Sequence, residues 1–412
     1  MNKPAEKAAL VPQLRFPEFR GAEHWRVKKL GNICEILNNQ RRPITGSERK
    51  SGLIPYYGAS GIVDYVREFI FDERLLLLGE DGAKWNAFEK TAFIIEGKSW
   101  VNNHAHVLRP FAICDSLLEN YLTMSDLCAF VTGAAPPKLT LGKLKGIPIP
   151  VPVSRIEQQK IADCLSSLDE LIAAQVRKVD AFKTHKTGLT QRLFPLEVET
   201  QPRLRFPEFL GTEKWTFRPF GAFVKKSFYG TSSSTSDSGR YPVLRMGNMQ
   251  DGKLIHANLA YLNLDPESFE KFRLQRGDIL LNRTNSLALV GKISIFDSDI
   301  ESLTASYIVT YRVDKLRIDP AFCNFMLNTP HYQADINALA RPSVSQANIN
   351  PKTFRNELVV SVPALAEQQR IADCLISLDS LITAAAQELQ TLKTHKKGLM
   401  QQLFPATEAV TA

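Results

Sequence analysis

The chain has 412 residues, 44% of them apolar, and its 51 Lys and Arg against 43 Asp and Glu give a formal charge of +8. That composition supports two or three packed domains and excludes a disordered or fibrous chain; no window of about eighteen apolar residues offers a membrane span, and the polar start Met1 to Lys7 lacks the apolar stretch of a signal peptide. The expectation is a soluble cytoplasmic protein with free thiols, since the six cysteines show no CxxC spacing, and with a basic balance that favours an anionic partner such as nucleic acid.

Residues 1–12 read as a loose tail. Leu14-Arg15-Phe16-Pro17-Glu18-Phe19 follows, with Gly21 and Trp25, and the same pattern returns as Leu204-Arg205-Phe206-Pro207-Glu208-Phe209, Gly211 and Trp215. A globular segment comes after each copy, roughly 26–150 and 216–362. The first predicts short strands at Leu75 to Leu78, Ala92 to Ile95 and His104 to Leu108, then a helix from Ser116 to Phe130. The second predicts strands at Pro242 to Met246, Asp278 to Leu281 and Ser306 to Val313, and a helix from Ala321 to Leu339. Thr231 to Ser238 reads as a serine-rich connecting loop. The two segments resemble each other far less than the motifs around them, so a shared frame holds two differently tuned modules, each a small α+β domain.

Each segment hands over to a long apolar-periodic run. Residues 157–195 laid on 367–405 give 24 identities in 39 positions, so the chain is an internal duplication. In the second copy Ile371, Leu375, Leu378, Ile382, Ala385, Leu389, Leu392, Lys396, Leu399 and Leu403 step by four and three, and Ile161, Leu165, Leu168 and Ile172 open the matching series in the first. This is a heptad seam. At 1.5 Å per residue each helix would be about 57 Å long, and so narrow a stripe suits another helix better than a broad core. The domains are therefore drawn as 1–150, a first spacer helix 151–196, a second domain 197–362, and a second helix and tail 363–412. The exposed polar residues that open the helices, Glu157, Gln158 and Gln159 with Glu367, Gln368 and Gln369, are candidates for contact with a partner subunit.

Catalytic patterns fail one by one. Val290-Gly291-Lys292 lacks the earlier glycine and the following Ser or Thr of a phosphate loop. Pro136-Pro137 is followed by Lys138, not by the aromatic of an amino-methyltransferase motif, and Glu80-Asp81-Gly82-Ala83-Lys84 lacks the carboxylate order of a metal-dependent nuclease and reads as a turn. His104 and His106 share one side of a predicted strand without a third ligand at metal spacing. Polar clusters suit nucleic acid better. Asn38-Asn39-Gln40-Arg41-Arg42, Asn282-Arg283-Thr284-Asn285-Ser286 and the loop Ser343 to Asn348 gather amides and guanidinium groups that can read purine edges or grip phosphates.

At these residues the chain resembles a known family, the specificity subunit of type I restriction–modification enzymes. The resemblance spans nearly the whole chain. It is carried by Tyr56-Tyr57-Gly58-Ala59-Ser60-Gly61, Leu78-Gly79-Glu80-Asp81-Gly82-Ala83 and Trp100-Val101-Asn102-Asn103-His104 in the first module, by Asp278 to Asn285, Leu289 to Lys292 and Ser345 to Asn350 in the second, and by the Glu-Gln-Gln-x-Ile-Ala helix openings. It implies two target recognition domains (α/β in character within an α+β chain) separated by two long helices in an antiparallel coiled coil, with a pseudo-two-fold internal repeat. It implies further that each domain reads one half of a bipartite, asymmetric DNA site. Partners would be double-stranded DNA, two methyltransferase subunits using S-adenosylmethionine, with the helix openings Glu157, Gln158, Gln159, Glu367, Gln368 and Gln369 as candidates for their interface, and restriction subunits using ATP and Mg; the chain itself would bind no cofactor or metal and catalyse nothing. Geometry agrees, because a coil of about 57 Å bridges one to two duplex turns of about 34 Å. The DNA-binding candidates are Asn39, Gln40, Arg41, Arg42, Tyr57, Ser60, Lys84, Asn103, His104 and Lys138 in the first domain, and Arg245, Asn248, Arg283, Thr284, Asn285, Lys292, Ser345, Gln346 and Asn348 in the second. A stand-alone two-domain DNA-binding regulator is the alternative reading.

Overall fold

A computed structural model of the chain describes residues 10–133, 135–196, 199–342 and 346–405. The chain forms two compact units, residues 1–178 with 385–412, and residues 179–384. The boundary cuts through both long helices, so each unit holds one globular domain and half of each helix.

The helices are α1, Arg155–Leu193, and α2, Leu365–Leu403, each 39 residues long. Neither contains proline, and Pro195 and Pro405 lie just past their ends, where the missing N–H and fixed φ forbid continuation. Within each unit the two segments run antiparallel. In the first, Gln175 Nε2 donates to the Ala385 carbonyl at 2.9 Å and to Glu388 at 2.8 Å, and Lys396 Nζ meets Asp169 at 2.6 Å. In the second, Lys186 Nζ meets Asp379 at 2.7 Å, and these two residues are the repeat equivalents of Lys396 and Asp169. The seam is enlarged at its ends: Ile161 and Leu165 join the first domain's core together with Met400, Leu403 and Phe404, and Ile371 and Leu375 join the second domain's core with Leu193 and Phe194. Leu168, Ile172, Leu378 and Ile382 along the middle are half-buried. The stripe thus serves helix pairing and domain packing together, not a partner helix alone.

Each core is closed by an aromatic from the end of one helix. Phe404 lies edge-on to Trp25 at 6.2 Å, and Phe194 edge-on to Trp215 at 6.4 Å. The opening motif is tied to the other helix by ionic contacts. Arg15 pairs with Glu157 at 2.7 Å while Trp25 Nε1 donates to the same carboxylate at 3.1 Å; Arg205 and Trp215 do the same to Glu367 at 2.6 and 3.4 Å. Gln158 takes the Cys114 N–H and donates to the Pro152 carbonyl, and Gln368 takes the Asp319 N–H and donates to the Pro363 carbonyl. This corrects the expectation for the helix openings. Glu157, Gln158, Glu367 and Gln368 are at most 2% exposed and are spent inside the fold; only Gln159 and Gln369 face solvent.

The first domain is built on strands β1 (Cys34–Ile36), β2 (Leu75–Gly79), β3 (Ala92–Ile95) and β4 (Ala105–Pro110) in the order β1-β4-β2-β3, every neighbour antiparallel. The continuous leucine run of β2 follows from burial on both faces. Leu76 and Leu78 face the helix-side core, and Leu75 and Leu77 face a second cluster with Phe71, Phe93 and Val107. The second domain repeats the plan with β5 (Val224–Tyr229), β6 (Ile279–Asn282), β7 (Ile293–Ile295) and β8 (Ile308–Val313) in the order β5-β8-β6-β7. Here Ile279 and Leu281 face one core and Leu280 the other. Both predicted helices are shorter than expected. The first spans Asp115–Met124, with a separate short turn at Cys128–Phe130. The second is two helices, Pro320–Leu327 and Pro330–Ala338, because Pro330 cannot donate back to the preceding turn.

Candidate nucleic-acid interface

In the first domain the site forms where β2 ends beside the start of β4, Gly79 opposite Ala105. Glycine is required there, since a Cβ on Gly79 would stand 2.4 Å from that of Ala83. Glu80 follows. Its N–H donates to the His104 carbonyl at 2.8 Å, its carboxylate accepts from Arg41 Nη1, and Lys138 Nζ approaches the other oxygen at 2.9 Å. Burial pushes the Glu80 carboxyl up, but hydrogen bonds from Arg41 and Lys138 and the positive charge of Arg41 hold it below its ordinary value. His106 is fully buried: Nε2 donates to the Leu139 carbonyl at 2.7 Å, leaving Nδ1 to accept from Asn38 Nδ2 at 2.8 Å. Both ring nitrogens are therefore occupied, and burial keeps the imidazole neutral by lowering its pKa.

Arg41 is corrected by this arrangement. Its guanidinium also donates to the Asn103 and Ala105 carbonyls at 3.3 and 2.7 Å, and its Nε to Asn38 at 3.1 Å. With these partners satisfied it positions the 38–42 loop and is not a free base reader. The loop in turn presents Asn39, Gln40 and Arg42 to solvent, with Asn103 and His104 exposed beside it. His104 Nδ1 bonds Asp81, and Asp81 lies 3.7 Å from Lys138, so His104 and Lys138 belong to one network. Tyr57 is half-buried against Phe93, 6.0 Å between ring centres, and its carbonyl accepts from Asn102. Ser60 is exposed at a hairpin tip. Lys84 stands apart, its ammonium 3.8 Å from Glu89. Glu80, Asp81 and His106, the centre of the network, were not separable in the sequence from an ordinary turn and a core histidine.

In the second domain the site is a ribbon that continues β6. Thr284–Asn285 pairs with Ala347–Ile349, which pairs with Ala340–Pro342. Thr284 Oγ1 donates to Asn348 Oδ1 at 2.6 Å, and Arg341, exposed and absent from the sequence candidates, is registered opposite Asn348. Arg283 stacks its guanidinium over Tyr229 at 5.5 Å from the ring centre, and Asn285 Nδ2 lies 3.3 Å from Met246 Sδ. Gln346 is exposed at the same ribbon; Ser345 lies outside the described residues. Lys292 is half-buried, and its carbonyl accepts the Asn282 N–H at 2.9 Å. Arg245 is exposed and donates to the Asn258 carbonyl at 2.7 Å. Asn248 is a second correction. It is 4% exposed, accepts the Arg245 N–H and donates to the Ile255 and Ala257 carbonyls, so its amide is consumed in holding the 246–257 turn.

What remains at least partly exposed is a set of amides, hydroxyls and guanidinium groups, on the 38–42 loop and the turn before β4 in the first domain and on the ribbon in the second. Such groups read base edges bidentately and bond phosphate oxygens. Among the described residues no helix is long and apolar enough to cross a membrane.

The family described as the type I restriction modification DNA specificity domain matches twice, over residues 22–179 and 213–394. A putative type I restriction enzyme specificity subunit of Haemophilus influenzae is 27% identical over 372 residues, covering 88% of this chain and 89% of that protein. The MjaVIII specificity subunit of Methanocaldococcus jannaschii is 23% identical over 417 residues, covering 94% and 95%. The crystal structure of the type I restriction-modification S subunit from M. genitalium shares the fold with a TM-score of 0.64 at 13% identity, over 97% of this chain and 100% of that one. The chain therefore belongs to the type I restriction–modification DNA specificity family, as a specificity subunit with two target recognition domains.

Proposed function

We propose that the two domains read the two unlike halves of a split double-stranded DNA site, and that the paired helices set the length of unspecified sequence between them. The observation that carries this reading is one strand order used twice with different polar groups beside it. Asn39, Gln40 and Arg42 are exposed in the first domain, and in the second Arg341 is exposed beside the half-buried Arg283, Thr284 and Asn348. A common scaffold with unlike reading groups specifies an asymmetric bipartite target.

In this reading the chain performs no chemistry itself. Two methyltransferase subunits supply S-adenosylmethionine-dependent modification and restriction subunits supply ATP- and Mg-dependent cleavage, with the exposed Gln159 and Gln369 available to docking partners. The test is to assemble the chain with its methyltransferase subunits and map every methylated base on random DNA. Two unlike half-sites at one fixed separation are expected. A single contiguous motif, equal binding of the assembled complex to scrambled DNA, or methylation by the purified chain alone would overturn the proposal.

A further inference from the structure

In the second unit two cavities, of about 500 and about 300 Å³, share Thr190, Gln191, Thr329 and Pro330 and form one groove between α1 and the domain. The charge along it is one-sided. Lys186, Lys253, Lys292, Arg192 and Arg203 line it against the carboxylates of Asp251 and Asp379. Asp379 is held between two ammonium groups, Lys186 at 2.7 Å and Lys253 at 3.3 Å, so one acid is shared by two bases. Arg203 is tied to Glu199 at 2.7 Å. Among the described residues neither Lys292 nor Arg192 makes a side-chain hydrogen bond or ion pair, and the groove keeps a surplus of positive charge.

The repeat-equivalent pair in the first unit, Lys396 with Asp169, has a different neighbour. It lies within the field of Glu119, an acid. The basic groove is therefore a property of the second unit and not of the duplicated frame. It also starts where the candidate reading ribbon begins, because the Lys292 carbonyl accepts the N–H of Asn282, the residue before Arg283.

We propose that this groove holds consecutive phosphodiester groups of the DNA strand adjoining the half-site read by the second domain. Resting on the DNA-reading function proposed above, it adds a fixed phosphate clamp that orients the duplex on the ribbon. Duplex DNA carries one negative charge per ~1.7 Å of axis, so a basic groove joined to the ribbon through the Lys292–Asn282 backbone bond is placed to meet phosphates of a duplex read by that ribbon. A free nucleoside triphosphate offers the same phosphate chemistry and is the competing source.

The experiment uses the assembled methyltransferase complex and the exposed pair Lys253→Gln with Arg192→Gln. Affinity for target and scrambled duplexes is measured across a salt series. The slope of log affinity against log salt is expected to become shallower by about 2, roughly one unit per lost phosphate contact, with both duplexes weakened by the same factor. Arg192→Lys, which keeps the charge, should retain the wild-type slope and so separates charge from folding. Unchanged slope and affinity in the double variant would overturn the clamp. Saturable binding of a fluorescent nucleoside triphosphate to the wild-type complex, lost in the double variant, would reassign the groove to a nucleotide. A wild-type complex that fails to distinguish target from scrambled DNA would instead sink the underlying DNA-reading function.

Discussion

Replacing Arg41 and Arg42 separately divides stability from recognition in the first domain. Arg41→Ala removes a donor from the nearly buried Glu80 carboxylate and is expected to cost about 1–3 kcal/mol of stability in urea unfolding. Arg42→Ala leaves that network intact and should weaken binding at one half-site by about 1–3 kcal/mol, as for a bidentate base contact, without moving the melting temperature. The sequence showed two adjacent guanidinium groups but not that Glu80, 39 residues on, claims one of them. Asn248 misled for the same reason: amide content is legible, but its three backbone partners depend on how a turn closes. Two acids of this unit answer pH in opposite directions. Glu80, held below its ordinary pKa, contributes stability above the usual carboxylate range and loses it as pH falls. Glu119 is raised by burial, and its ionisation at neutral pH costs stability that is regained as pH falls below its raised pKa. Glu119→Gln, which can still accept the Ile94 N–H, should therefore raise the melting temperature at pH 7, with the gain shrinking towards pH 4.

At the scale of elements, the long helices were the most legible part of the chain because a seam of period 3.5 survives duplication residue by residue. The shared four-stranded sheets were not legible. Leu75 to Leu78 and Ile279 to Leu281 read as isolated apolar runs, and strand order is fixed by partners far away in sequence. The Pro330 break was visible, but apolar periodicity on both sides concealed it. Buried ion pairs anchor each opening motif to a helix, and cutting one should be costly. Glu157→Gln leaves Arg15 buried without its counter-charge and is expected to cost about 3–5 kcal/mol, whereas Arg15→Met with Glu157→Leu should cost less than that single change. Unfolding by urea with a tryptophan readout measures both, since Trp25 lies on the same carboxylate. Gln175 is a polar residue in the seam, bonded to the backbone carbonyl of its own repeat equivalent, Ala385. Such a residue fixes register at some cost in stability. Gln175→Leu should raise the melting temperature while broadening the helix resonances in NMR spectra, and a lower melting temperature would show that its two hydrogen bonds outweigh apolar packing.

For the whole molecule, the duplicated frame and its DNA-reading purpose could be inferred from motifs, but the place where the chain divides could not. The division falls inside the helices because each core recruits the far end of one of them. Met400, Leu403 and Phe404 complete the first unit's core, whereas every residue of the second unit's core lies between 179 and 384. A chain ended after Ala384 should therefore keep a protease-resistant second unit and lose that of the first, which limited digestion with mass spectrometry would reveal. The same wiring sets an order on the ribosome. The first domain waits for Met400, Leu403 and Phe404 before its core can close, a long-range closure of the kind that slows folding, while the buried core of the second unit is complete at Leu375, 25 positions before Met400. Birth order and folding order are reversed, and for that interval the nascent first domain carries an apolar cleft waiting for Phe404.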